Sequence, residues 1–176
     1  MPEKIEQRKS AKRQLMGKTA KAQGRLFEDR LDAAFAHYKN TGFAIIEKTP
    51  EPMRPIQSLG GGKFVAFFEK KAQPDYKGVI KGGRAVMFEA KFTSTGKMEQ
   101  GRVLPGQADY LDWHQVLGAR CYVVAGFSSG AVYRFPWDVW RQMQQIFGRK
   151  YIAESDVAII PYQVSTSRDG VLLLLD

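Results

Sequence analysis

The sequence predicts a single mixed α/β domain, and three observations carry that prediction. Apolar residues recur at helical spacing in some segments and alternate with a period of two in others. The two kinds of segment follow one another with no internal repeat or low-complexity block, and 176 residues suit one core better than two. Residues 1–22 read as a basic flexible N-terminal arm and residues 23–176 as one domain, with an excursion at about 52–73.

The elements follow in order. From Leu26 the apolar positions Phe27, Leu31, Ala34, Phe35 and Tyr38 share one helical face, and Asn40 with Gly42 supplies a stop. Phe43 to Lys48 has strand character. Pro50, Pro52 and Pro55 then exclude a central strand, so the chain projects outward through the triplet Gly60, Gly61, Gly62 and the aromatic stretch from Phe64 to Phe68, returning at Pro74. The triplet before Lys63 lacks the spacing and the Ser or Thr of a phosphate-binding loop and reads as a flexible turn. Asp75 to Lys81 and Arg84 to Phe92 are two strands of a hairpin turned by Gly82 and Gly83. Pro105 opens a helix whose face carries Leu104, Ala108, Leu111 and Leu117 and which ends near Gly118. Arg120 to Phe127 and Ala131 to Phe135 are strands. A helix from Pro136 to Gly148 turns Trp140, Met143 and Phe147 inward, and Ile159 and the run from Val171 to Leu175 are expected as further strand.

Composition narrows the partner. Lys and Arg total 27 against 18 Asp and Glu, a formal charge of +9 with pI near 9.7, which favours a polyanion and above all nucleic acid. Eight of the basic residues lie in the first 25 positions, among them Lys9, Lys12, Arg13, Lys18 and Lys21, against only Glu3 and Glu6. Such a segment buries little, so it is a mobile arm or a fraying helix until an anion orders it. The longest apolar run is too short to span a bilayer. The N-terminus has no apolar core of a secretory signal, so the reducing cytoplasm, at the nucleoid, is the expected compartment. The single Cys121 lies within an alternating apolar segment and reads as a buried, inert thiol.

Chemistry concentrates in RAVMFEAKF. Alternation places Val86, Phe88, Ala90 and Phe92 on one face of this strand and Met87, Glu89 and Lys91 on the other. The hairpin folds Asp75 back beside Glu89, so two carboxylates and an amine converge. Phosphodiester hydrolysis needs a hard divalent cation held by oxygen ligands, here Asp75 and Glu89, and a cationic group such as Lys91 to position water and offset developing charge. An isolated Glu-x-Lys is common and usually a solvated ion pair. The preceding Pro-Asp pair and the apolar opposite face raise it to a signal for the PD-(D/E)xK group of nucleases.

The segments GRLFEDRLD (24–32), KTPEPMRPIQ (48–57), DYKGV (75–79), FEAKFT (88–93) and GQADYLDWHQVLGARCYVVAGF (106–127) stand in an order and spacing similar to the RecU family of Holliday junction resolvases. The resemblance spans about Gly24 to Phe135. It implies a restriction-endonuclease-like core, a mixed central sheet flanked by helices with a short projecting stalk, acting as a homodimer that cuts four-way DNA junctions with magnesium, or manganese in its place. It carries the metal-binding acids onto Asp75 and Glu89, the catalytic lysine onto Lys91, and further site residues onto Gln107 and Glu28. Helix geometry alone leaves Glu28 open between a metal-facing acid and a boundary carboxylate, and Gln107 between a water or phosphate contact and a helix-start residue. The stalk looks shorter than the family's. Lys77 stands where the family's segment has Asn, which adds a phosphate contact near the site. Recombinase and branch-migration proteins are family partners that no residue here visibly encodes. A nuclease for other DNA and a non-catalytic DNA-binding or recombinase-modulating protein are the rival readings.

Overall fold

The computed structural model describes residues 2–68 and 73–175, with the side chains of residues 2–14 and Phe68 outside the description. Helix α1 runs from Pro2 to Asn40, starting well before the expected Leu26. The segment expected as a separate arm therefore continues the helix in its backbone, as a sequence rich in Ala, Lys, Gln and Arg permits. From Leu15 to Leu26 every residue is exposed or only half-buried, and Phe27 is the first buried one among the described side chains.

Five strands form the central sheet: β1 (Ala44–Lys48), β4 (Tyr76–Ile80), β5 (Arg84–Thr93), β7 (Arg120–Phe127) and β8 (Val132–Pro136), in the order β1-β4-β5-β7-β8. Only β5 and β7 pair in parallel, and helix α2 (Pro105–Val116) lies in the connection between them. This is the mixed sheet with helices on both faces that the sequence implies. One face packs against α1 through Val86, Phe88 and Val124, while the other meets α2 and the C-terminal elements through Met87, Val123 and Ala125. The alternation read in β5 thus sorts residues between two cores.

Two close approaches fix α1 and β1. A Cβ on Gly126 would sit 2.5 Å from the Phe27 ring, and one on Gly78 would sit 2.0 Å from the Ile45 carbonyl oxygen, so both positions require glycine for steric reasons. Tyr76 Oη donates to Asp32 Oδ1 at 2.8 Å and the Leu175 N–H donates to Tyr38 Oη at 2.9 Å, which ties α1 to the sheet and to the C-terminal segment.

The excursion is an antiparallel hairpin of β2 (Met53–Gly60) and β3 (Lys63–Phe68) closed by Gly61 and Gly62, both at positive φ. Every residue of β2 is exposed, so the hairpin projects as a stalk. A third, two-stranded sheet of β6 (Lys97–Glu99) and β9 (Tyr151–Ala153) had no sequence signal.

Four expectations are corrected. Of the α2 face expected at Leu104, Ala108, Leu111 and Leu117, Ala108 and Leu111 are buried, whereas Leu104 and Leu117 lie at the two caps of the helix and are exposed. The helix from Pro136 is two short ones, α3 (Trp137–Arg141) and α4 (Met143–Phe147), because Gln100 Nε2 donates to the carbonyls of Trp140 and Arg141 at 2.7 and 2.8 Å and intercepts the ladder there. Ile159 lies in a 3-10 turn (Val157–Tyr162) that contains Pro161, not in a strand. The run from Val171 to Leu175 is buried at Leu172, Leu174 and Leu175 but makes only an isolated bridge, Thr166 with Leu172. Cys121 is buried as expected, and burial pushes its thiol up to about 12. Among the described residues no helix is long and apolar enough to cross a membrane.

Candidate active site

The β4–β5 ladder ends with Tyr76 opposite Phe88, which leaves Asp75 one step beyond it, opposite Glu89. The Asp75 carboxylate caps the ladder by accepting the Ala90 N–H at Oδ2, 2.9 Å away. Glu89 is fully buried and points toward α2. Its Oε1 takes two donors, Lys91 Nζ at 2.5 Å and Gln107 Nε2 at 2.7 Å, while its Oε2 receives no hydrogen from any donor among the described residues. Gln107 is held in turn, since its Oε1 accepts the Leu104 N–H at 3.2 Å and faces Lys91 Nζ at 3.5 Å. A Gln in the first turn of α2 thus satisfies a helix-start N–H and orients the acid. The helix-start use read in the sequence is present, and the hydrogen bond to Glu89 stands beside it.

Burial, and then the charge of Asp75, push the Glu89 carboxyl up to about 7, and Lys91 opposes them. Two carboxylates brought together in a buried position, one with an oxygen that no donor among the described residues reaches, favour a proton or a cation between them. A divalent ion fits this donor set. Magnesium in particular binds through one or two carboxylates and fills its remaining positions with water and substrate phosphate. Among the described residues no three His, Cys, Asp or Glu side chains gather into a cluster, so the donors the structure brings together are the pair Asp75 and Glu89, with Glu28 at the edge.

An open cleft of about 410 Å³ leads to these groups, lined by Gly24, Glu28, Lys48, Asp75, Lys91 and Arg102 among others. Glu28 sits at its rim, half exposed, with Lys48 Nζ 2.6 Å from its Oε2. That hydrogen bond, followed by the charges of Glu28, Asp32 and Asp75, pushes the Lys48 ammonium up. Asp75, Glu89, Lys91 and Gln107 are therefore brought together, and Glu28 joins them at the edge. Lys77 does not line the cleft; its Nζ donates to Gln73 Oε1 at 2.8 Å. Lys18 and Lys21 are exposed on α1 ahead of Gly24, and the side chains of Lys9, Lys12 and Arg13 lie outside the described residues.

Lys48 and Arg102 escaped the reading of the sequence. Lys48 reaches the site because β1 pairs with β4 and sets it opposite Tyr76, a long-range register with no local signal. Arg102 leaves a short 3-10 turn and donates to the Phe92 carbonyl at 2.6 Å.

The match to known proteins is direct. The family model for RecU, recombination protein U, matches residues 22–176. The chain belongs to the RecU family. Relatives in this family include the Holliday junction resolvase RecU of Bacillus pumilus, 29% identical over 145 residues that cover 76% of this chain and 69% of the relative. One from Streptococcus pneumoniae is 31% identical over 137 residues, covering 72% of this chain and 68% of its own length. Among solved structures, Hjc of Archaeoglobus fulgidus, a Holliday junction resolvase, is similar at 18% identity with a TM-score of 0.45, over 79% of this chain and 93% of that one. That likeness is too loose to argue from.

The raised Glu89 carboxyl makes a pH prediction with a definite sign. In the metal-free protein, the stability that goes with a protonated Glu89 is complete below its ordinary value of 4.5 and is lost as pH rises through about 7. A divalent ion held by Glu89 would have to displace that proton, so its affinity should weaken by up to about tenfold per pH unit on acidification below 7. Calorimetric titration at pH 6 and pH 8 should show the weaker binding at pH 6, and Glu89→Gln should remove the difference. Equal affinity at both pH values would contradict the assignment.

Proposed function

We propose that this member of the RecU family is a magnesium-dependent endonuclease that resolves four-way DNA junctions. The carrying observation is the Glu89 carboxylate, buried beside Asp75, with one oxygen gripped by Lys91 and Gln107 and the other reached by no donor among the described residues. The relatives named above, called Holliday junction resolvases, support the choice of substrate. Asp75 and Glu89 hold the ion, with manganese as a substitute. A divalent cation there supplies charge neutralisation at the scissile phosphate and acidifies water. Lys91 Nζ faces the developing negative charge and orients the attacking water. Gln107 fixes the positions of both Glu89 and Lys91, and Glu28 borders the ion's site from α1. The exposed stalk enters the junction, and two copies supply the paired active sites that a two-fold substrate requires. Action on junction DNA goes with the cytoplasm, at the nucleoid.

Selectivity tests the substrate. With magnesium and equal concentrations of a four-way junction and a linear duplex of the same arm sequence, the junction should be cut preferentially. Equal cleavage of both would make the chain a general nuclease, and junction binding without cleavage would favour a non-catalytic DNA-binding protein.

Charge bookkeeping gives the basic extension a separate test. Removing residues 1–22 deletes seven Lys or Arg (Lys4, Arg8, Lys9, Lys12, Arg13, Lys18, Lys21) and two Glu, a net loss of five positive charges. Each phosphate neutralised contributes roughly 0.9 to the slope of log affinity against log salt, so an extension that neutralises three phosphates accounts for about 2 to 3 of that slope. The truncated protein should bind junctions more weakly at low salt, lose less affinity as salt rises, and retain its cut once DNA is saturating. Parallel salt curves for the two proteins would leave the extension no role in binding.

A further inference from the structure

Among the described residues three cations line the cleft that leads to Asp75 and Glu89, and their surroundings differ. Lys91 Nζ lies against the Glu89 carboxylate, and Lys48 Nζ is hydrogen-bonded to Glu28 Oε2. Each of these two charges is offset by an acid of the site itself. The third is Arg102, and no carboxylate among the described residues stands within ion-pair distance of it. A polyanion entering the cleft therefore meets Arg102 as the lining cation that has no acid to release.

Arg102 is also held in place. Its Nη1 donates to the Phe92 carbonyl at 2.6 Å and lies 3.6 Å from the Met98 sulfur. Nε and Nη2, the two donors of the side-on edge of the guanidinium, meet no acceptor among the described residues. Phe92 follows Lys91 on β5, so the guanidinium is anchored one strand position beyond that lysine. The 3-10 turn that carries it (Gln100–Arg102) is pinned on both sides. Gln100 grips the carbonyls of Trp140 and Arg141 with its side chain and that of Lys150 with its N–H, and Val103 is buried in the core beneath α2. Gripping a ligand costs an exposed arginine rotamer freedom, and an anchored one has already given up part of it. The open edge is the planar fork that matches two oxygens of one phosphate.

We infer that Arg102 is a phosphate-binding residue whose side-on edge grips the backbone phosphate next to the scissile one, on the strand being cut. This rests on the reading of the chain as a DNA endonuclease that cuts at Asp75, Glu89 and Lys91. The scissile phosphate then occupies the part of the cleft where the acids and Lys91 converge, and the strand continues past Phe92 along the lip where Arg102 stands. The contact reads no base and sets the register of the strand. Its effect is affinity, together with placement of the scissile bond before the groups that act on it.

Binding of a four-way junction in chelator, where no strand is cut, tests the contact. Arg102→Gln removes the charge of an exposed side chain, so the variant should keep its circular dichroism and its magnesium titration. It should bind the junction roughly 5- to 30-fold more weakly, the scale of one charged hydrogen-bonded contact. Its slope of log affinity against log salt should be shallower by about 0.9, the share of one phosphate. Arg102→Lys keeps the charge and should recover that slope. Methylphosphonates, which remove the charge of one phosphate at a time, then locate the contact. At one of the phosphates flanking the mapped cut, the substitution should weaken the wild-type protein about as much as Arg102→Gln does, and weaken the Gln variant by less than about twofold; elsewhere it should weaken both alike. Wild-type affinity in Arg102→Gln, equal losses in the two proteins at every position, or an Arg102→Lys protein as defective as the Gln variant would overturn the inference. The last result would make Arg102 a prop for the Phe92 carbonyl. The same coupling on a linear duplex that is cut as fast as the junction would leave the phosphate contact standing and remove the choice of substrate alone.

Discussion

Asp75→Asn is expected to lower junction cleavage by about 10³-fold or more while leaving junction affinity within about twofold, because ion binding supplies several kcal/mol of transition-state stabilisation and each ~1.36 kcal/mol is a factor of ten. The asparagine oxygen can still accept the Ala90 N–H that Asp75 Oδ2 accepts at 2.9 Å, so the end of the β4–β5 ladder is retained. What disappears is one of two anionic oxygen donors, together with a charge that pushes the Glu89 carboxyl up. No positive charge that meets the DNA backbone is touched. Single-turnover cleavage and a gel-shift titration of the same junction separate the two effects. A variant that cuts at the wild-type rate would remove Asp75 from the site.

Lys91→Ala is expected to cost roughly 10² to 10³ in cleavage rate, the scale of losing one charge-stabilising donor. It should still bind magnesium. Lys91 opposes burial and the Asp75 charge at Glu89, so without it the Glu89 carboxyl rises further and the ion needs a higher pH to displace the proton. Calorimetry above pH 8 should therefore find binding that has faded at pH 7. Binding absent at every pH would make Lys91 a structural support for the acids and not the group that acts on the phosphate.

The site was legible because its parts are local. The glycine pair marks the hairpin, whose loop is the three residues Lys81, Gly82 and Gly83 between the paired Ile80 and Arg84 and not the two glycines alone; that register sets Asp75 opposite Glu89, and strict alternation in RAVMFEAKF puts Glu89 and Lys91 on one face with Phe88 on the other. Gln107 needed the family resemblance, since a polar residue in a first helical turn has an ordinary use, and the structure shows that use together with a hydrogen bond to Glu89. The missed and misread elements depend on contacts distant in sequence. Lys48 is placed by β1 pairing with β4, and the break at Gln142 is made by the side chain of Gln100, far away along the chain. The run from Val171 to Leu175 has the apolar character of a buried strand, but the Leu175 N–H donates to the hydroxyl of Tyr38 on α1 instead of joining a ladder.

Cleavage of a four-way junction labelled on two opposing strands, with magnesium and with a chelator in excess, tests the central claim most directly. The account predicts paired nicks at symmetry-related positions in magnesium, none with chelator, and recovery when magnesium is restored. Nicks that persist in chelator, or none in magnesium from protein saturated with junction, would contradict a metal-dependent resolvase built on Asp75, Glu89 and Lys91.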